Sequence, residues 1–391
     1  MTANGHLPSP AESGVGPGVG ARIERIRAAL EEANLDALMI SAPGEEHLGM
    51  ESRNYTSGFT GSTGIVLVTR DQAFVAADFR YTEQAARECG PRGFTVFPAL
   101  GARKDWFARF VGEAGIGGKR VGLATHDLTY AGRLSLTKLT RELPAGDRPK
   151  WLPAPDIIGR LRKFKDQDEL RLLQAAVDIS DRAFEQLESV LAPEMTEIRA
   201  AEIFAHNVRV EGGDDISFDT IVAAGPNGAM PHASPTPAPL GLDRPIVIDM
   251  GAKFGGYCSD LTRTVVIGRP DAKFREIYEI VFEAQRSAIE GIEAGMKADA
   301  AHELAQAVID KAGYGDRFGH GLGHGVGLAV HEDPYLGKSG SDTLEEGMVF
   351  TIEPGIYLPG WGGVRIEDIV VLENGRARVL SKAKKLTPTG V

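Results

Sequence analysis

Residues 244–268 read RPIVIDMGAKFGGYCSDLTRTVVIG, two strand-like runs joined by Lys253, Phe254, Gly255 and Gly256. Apolar and β-branched runs flanking a glycine pair are the pattern of an antiparallel hairpin, because glycine accepts the positive φ that a tight turn requires. With the turn centred between Phe254 and Gly255, Asp249 faces Asp260 across the two strands. Directly opposed side chains have Cβ atoms about 4.5–5.5 Å apart, where two like charges weaken the pairing. Two anions so placed call for a cation between them, or for a proton on one.

The figure recurs at residues 351–372, TIEPGIYLPGWGGVRIEDIVVL. A connection centred at Gly360 puts Glu353 opposite Glu367, although Pro354 and Gly355 bend the first strand. Acids on strands ordinarily face solvent. Here both pairs are flanked by apolar strand residues (Ile246, Val247, Ile248; Val349, Phe350, Ile352), which argues for an enclosed setting. Four carboxylates suit two divalent ions that share ligands. Carboxylate oxygens favour harder ions, and one added imidazole widens the choice to manganese, iron, cobalt or zinc.

That imidazole is available from residues 319–333, GHGLGHGVGLAVHED. His320 and His324 have helical spacing, but Gly319, Gly321, Gly323, Gly325 and Gly327 argue against a helix and for an extended or looping backbone that approaches a neighbour closely. His6, His47, His126, His206 and His302 have no such context and are assigned ordinary surface or core places. Cys258 shares the predicted strand face of Asp260 and is assigned to packing.

Around these segments the chain alternates. Residues 1–21, rich in Pro and Gly, are expected to be a disordered leader. From Ile23 an amphipathic helix leads to a strand ending near Ser41. GSTGIVLVT and AFVAAD form a hairpin, and KRVGLAT is a later strand. A domain boundary is placed near residue 160, giving a first domain over 22–160 and a second over 161–391. The second opens with a long helix carrying Leu170, Leu173, Val177, Phe184 and Leu187. TEIRAAEIFAHNVRVEGG and DAKFREIYEIVFEAQRSAIEGIEAG are further helices, the latter burying Phe274, Ile277, Val281, Ala284 and Ala288. Helices with hairpin-rich strands make the second domain α+β, its helices covering an antiparallel sheet, after a smaller α/β domain.

The 391 residues carry a net charge of −11 and no concentrated basic run, which excludes nucleic acid as an expected partner. There is no apolar run of membrane-spanning length, and two distant cysteines suggest no disulfide framework, so a reducing cytoplasm is the expected location.

The motifs IDMG, YCSDLTRT, GLGHGVGLAVHE, TIEPGIY and GVRIED, in this order, resemble the pita-bread metallopeptidases of the proline-specific branch, the Xaa-Pro aminopeptidases (aminopeptidase P) and Xaa-Pro dipeptidases (prolidases). NYTSGFTGSTG and ADFRYTEQA resemble the creatinase-like N-terminal domain of that branch. The resemblance implies that Asp249, Asp260, His324, Glu353 and Glu367 bind two divalent ions, manganese first among the candidates. It implies that His232, in GPNGAMPH, and His331, in VHE, contact substrate and that Arg365 steadies the carboxylates; Glu353 is further expected to relay the proton of the attacking hydroxide toward the leaving nitrogen. His320 has a weaker claim, as support or as a substrate contact. A homodimer acting on proline-containing peptides or dipeptides, without a membrane, is also implied.

Prolidases of this family bind the substrate carboxylate with an arginine between the VHE and EPG motifs. HEDPYLGKSGSDTLEEGMVFTIE contains none; Tyr335 follows Pro334, and Lys338 offers only an ammonium. The expectation is therefore an aminopeptidase that removes the residue before proline from longer peptides, with the dipeptidase as its alternative. A noncatalytic pita-bread binding module is the more distant alternative.

Overall fold

The computed structural model describes residues 18–386, and the chain divides between Arg162 and Lys163 into two compact units. Most of the expected leader lies outside the described residues. Its last part does not fit that expectation, because a helix already spans Gly18–Glu32. Val19 lies one turn before Ile23 and is buried with it, so the apolar face of the helix begins earlier than the Ile23 pattern alone suggests.

The first unit is built on one six-stranded sheet. The strands Ala37–Ile40, Ile65–Thr69 and Ala73–Ala77 pair antiparallel, and the last two form the expected hairpin. Thr95–Pro98, Arg120–Leu123 and Lys150–Pro153 extend the sheet by parallel pairing. The three antiparallel strands are buried at every position. Phe107 and Phe110 of the helix Arg103–Glu113 pack against the sheet.

In the second unit every strand pairing is antiparallel, and two pairs of helices cover the strands. Gln167–Glu188 and Glu197–Val210 share a core with Ile246, Ile248, Met250, Leu261 and Val265. Ala272–Gly291 and Ala298–Lys311 share another with Phe350, Ile352, Val364, Ile366 and Val370. Side chains alternate across a strand. Each of these apolar sets therefore sends the intervening residues, Asp249, Asp260, Thr262, Thr351, Arg365 and Glu367, to the face away from the helices.

The helices are well begun. Asp166 and Glu169 form a reciprocal capping box, and the side chains of Thr196 and Asp271 accept hydrogen bonds from the first turns of their helices. On the side of the strands that faces the helices, the Arg263 guanidinium is buried with Asp368 at 2.7 Å and donates to the carbonyls of Ala383 and Lys384. Asp181 accepts from the backbone N–H groups of Lys382 and Ala383. The strand that presents Glu367 is thus fastened from behind.

The two hairpins differ in how well their register could be foreseen. Ile352 pairs with Asp368 and Gly355 with Arg365, so Glu353 and Glu367 face each other as expected. In the first hairpin Phe254 pairs with Tyr257, and the residue opposite Asp249 is Thr262, not Asp260. The cause is the turn. Gly255 and Gly256 both adopt positive φ, 58° and 87°, and together form a two-residue turn. The register moves by two positions, which leaves each residue on its predicted face, so Asp260 remains diagonal to Asp249 on the same side of the sheet.

Candidate active site

The glycine run is explained by contact rather than by flexibility. Gly323–Gly325 is a short strand between Glu332–Leu336 and Val349–Ile352. A Cβ on Gly323 would lie 2.0 Å from the Thr351 carbonyl oxygen, and one on Gly325 would lie 2.1 Å from that of Asp333. Only glycine lets these backbones approach so closely. The close packing fixes His324, whose backbone N–H donates to Thr351 Oγ1 at 3.1 Å.

A cleft of ≈ 970 Å³ opens on this face, and Asp249, Asp260, His324, Glu353 and Glu367 all line it, together with His232, His320, His331 and Arg365. The structure therefore brings every candidate residue of the sequence into one place. His47, His126, His206 and His302 do not line it, and His6 lies outside the described residues. His302 is instead a core residue whose ring lies 5.3 Å from that of Phe318. Cys258 is buried against the Leu328 carbonyl.

His324 Nδ1 lies 3.0 Å from the Gly325 carbonyl oxygen, a contact that only an N–H can satisfy. With Nδ1 holding a proton, Nε2 is turned toward Glu353 Oε1, at 3.3 Å, and Asp260 Oδ2, at 3.6 Å; without a metal these acids favour a second proton on Nε2, and a cation would take that proton's place. A proton on Nδ1 alone is the tautomer a metal-ligating imidazole adopts. Ligand atoms of Asp260, His324 and Glu367 all lie within 4.8 Å of one another. Asp249 contributes a further sign: its Oδ2 accepts from Arg365 Nη2 at 2.6 Å, while its buried Oδ1 has no hydrogen-bond partner. Hard oxygens, one imidazole and an orphaned carboxylate oxygen form a donor set suited to a divalent cation.

The electrostatics agree. Burial, then the neighbouring carboxylates, holds Asp260 and Glu367 well above the ordinary carboxyl range. Burial acts on Glu353 in the same sense but is outweighed by the hydrogen bond and charge of His324, which bring it down to about 2. Burial would lower His324, and Glu353 more than reverses that. His331, its ring centroid 4.2 Å from that of His324, is lowered by burial and then by that neighbour.

Several functional-looking residues were not singled out from sequence. Tyr357, within the quoted EPGIY, is buried, and its hydroxyl is pushed up to about 12 by burial. It accepts from Arg365 Nη1 at 2.9 Å and lies 3.0 Å from His320 Nε2, whose other ring nitrogen meets the Gly321 carbonyl. Thr262 and Thr351 donate to Glu367 and Glu353. Glu197, buried at the start of its helix, accepts from Ala224 N, Asn227 Nδ2 and both the N–H and hydroxyl of Thr236. It thereby ties down the loop that carries His232. The strand alternation that marks Asp260 and Glu367 also marks Thr262 and Thr351; no comparable periodic signal marks Glu197.

A mixed α+β unit with clustered carboxylates and an imidazole facing one cleft defines a metal-dependent hydrolase site. Residues 171–374 match metallopeptidase family M24 and residues 22–164 match the creatinase/prolidase N-terminal domain, and the chain belongs to that family of peptide-bond hydrolases. It pairs a creatinase-like N-terminal domain with a pita-bread C-terminal domain. It is 38% identical to the Xaa-Pro dipeptidase of Pyrococcus furiosus over 261 residues, covering 67% of this chain and 75% of that one. Among solved structures, the Xaa-Pro dipeptidase from Bacillus anthracis superposes with a TM-score of 0.86 at 36% identity, covering 94% of this chain and 99% of that one. The X-Pro aminopeptidase from Thermotoga maritima gives 0.83 at 33%, with 92% and 99% covered. No helix among the described residues is long and apolar enough to cross a membrane.

Proposed function

We propose that the protein hydrolyses Xaa-Pro dipeptides in a cleft that holds two divalent ions, with manganese the first candidate and cobalt, zinc or iron the others. The carrying observation is the meeting of four carboxyl groups with His324 Nε2 at the cleft, where Asp249 Oδ1 lacks any donor. Asp249, Asp260, His324, Glu353 and Glu367 would hold the ions. Divalent cations in such a site acidify a water and polarise a carbonyl.

The protein's own groups supply the rest. The nitrogen of a bond to proline carries no hydrogen, so the departing ring needs a proton from the site. Among the acids, Asp260 and Glu367 are buried and Asp249 Oδ2 is held by Arg365. Glu353, its side chain 16% exposed, is best placed to move that proton. His331 and His232 are exposed at the cleft and suit contact with the scissile carbonyl and its developing charge. Arg365, buried, holds Asp249 in place, and His320 acts as support because both its ring nitrogens are engaged.

The aminopeptidase expectation gives way here to its dipeptide alternative, since the Xaa-Pro dipeptidases of Pyrococcus furiosus and Bacillus anthracis support it. One observation favours the longer substrate. Tyr335, 45% exposed, lines the cleft after Pro334, and no arginine lies between His331 and Glu353. Turnover of Ala-Pro and Ala-Pro-Ala by the manganese-loaded protein decides between them. Faster cleavage of Ala-Pro is expected; exclusive cleavage of the tripeptide would reverse the assignment. The two buried free cysteines suit a reducing cytoplasm, and the family resemblance supports a homodimer.

A further inference from the structure

We infer that Thr262 is a positioning residue for the metal site, through a directed hydrogen-bond chain that runs from Arg365 to Thr262 to Glu367. The inference rests on the metal-site reading above and deepens it. Thr262 is fully buried, faces Asp249 across the hairpin and shares the strand face of Asp260. Its Oγ1 lies 2.6 Å from Glu367 Oε2 and 3.0 Å from Arg365 Nε.

The direction of this chain is forced. A guanidinium can only donate, and a hydroxyl has a single proton. Thr262 must therefore accept from Arg365 and, with Glu367 ionised as a metal-holding carboxylate is, spend its proton on Glu367. Arg365 also donates through Nη2 to Asp249 Oδ2. One continuous path thus runs from a carboxylate on the first hairpin to a carboxylate on the second, and fixes one oxygen of each. The strands are held in step beside it: Glu367 N donates to the Thr262 carbonyl, and Thr264 Oγ1 exchanges hydrogen bonds with the backbone of Arg365.

A threonine that merely fills a β-strand position could be replaced by valine, which has nearly the same shape and the same preference for strands. A threonine that aims Glu367 could not. Valine would strand a buried Arg365 Nε and free Glu367 Oε2 to rotate. Partners in this outer layer of a metal site typically change affinity by about 10–100-fold.

The test is titration calorimetry of Mn²⁺ into full-length protein stripped with a chelator, with thermal unfolding of each metal-free protein as the check on folding. Thr262→Val is expected to bind Mn²⁺ about tenfold or more weakly, while Thr262→Ser stays close to the native value. Thr262→Ala compared with Thr262→Ser repeats the contrast without a γ-methyl, so a folding defect in the valine variant does not decide the matter. Native affinity in both Thr262→Val and Thr262→Ala overturns the inference, as does equal loss in Thr262→Ser and Thr262→Ala. Failure of the native protein itself to bind Mn²⁺ overturns the metal-site reading instead.

Discussion

His324 and His331 stand next to each other, yet the surroundings give them different work. His324 is largely buried, fixed by Gly325 and turned toward Glu353 and Asp260. His331 opens to solvent at the cleft, yet partial enclosure of its ring, then the neighbouring His324, favours its neutral form. The two kinds of residue separate by experiment. Asp260→Ala is expected to lose bound metal and activity together, since it removes a carboxyl from the centre of the cluster. His331→Ala is expected to keep its metal while turnover falls by about 10²–10³-fold, the usual cost of losing one preorganised donor. Metal analysis alongside kinetics checks both, and equal metal loss in the two variants would contradict the division. At this scale sequence was informative about ionisable residues and poor about their supports. Thr262, Thr351 and Tyr357 act through single hydroxyls, and a hydroxyl residue in a strand has too many ordinary uses to stand out.

Between elements, the outcome depended on how many residues fixed a turn. The Pro/Gly-rich connection around Gly360 lies midway between Glu353 and Glu367, and the register follows. The Gly255–Gly256 turn could be centred in two ways, and the positive φ of both glycines selects the one that sets Thr262 opposite Asp249. Because the slip is even, the predicted faces survived while the predicted partners did not. The helix Ala298–Lys311 escaped expectation for another reason: Ala298, Ala301 and Ala305 make much of its buried face, and alanine gives a faint apolar signal. The glycines of 319–327 allow a direct test at this scale. Gly323→Ala forces a Cβ to within 2.0 Å of a backbone oxygen, whereas Gly319→Ala meets nothing within 4 Å. The first should cost about 2 kcal/mol or more in urea unfolding, as overpacking does, and the second about 0.5 kcal/mol or less. Similar unfolding midpoints for the two would mean that close backbone approach is not why the run is glycine.

For the molecule as a whole, the cluster is a source of instability that a bound cation would relieve. The chain already carries a net charge of −11, and burial with mutual repulsion holds Asp260 and Glu367 well above their unfolded range. The sign of the resulting pH dependence is fixed. Below the unfolded carboxyl value, about 3.9 for aspartate, Asp260 is protonated folded or unfolded and costs nothing. As pH rises the unfolded chain releases its proton first, so the native state loses stability until pH passes the raised folded value. An amide at this position cannot ionise and escapes that loss. Metal-free Asp260→Asn should therefore unfold at a higher temperature than the metal-free native protein at pH 8, with the advantage shrinking toward pH 4. Other groups with shifted values, such as Asp181 at about 6, are present in both proteins and cancel to first order. Saturating Mn²⁺ should reverse the order at pH 8, because ligand binding stabilises the native protein and the variant lacks a carboxylate proposed to hold the ion. Thermal melts of both proteins, with and without Mn²⁺, provide the measurement. A metal-free Asp260→Asn less stable than the native protein at pH 8 would mean that the carboxyls do not strain the fold, and that holding a cation is not what brings them together.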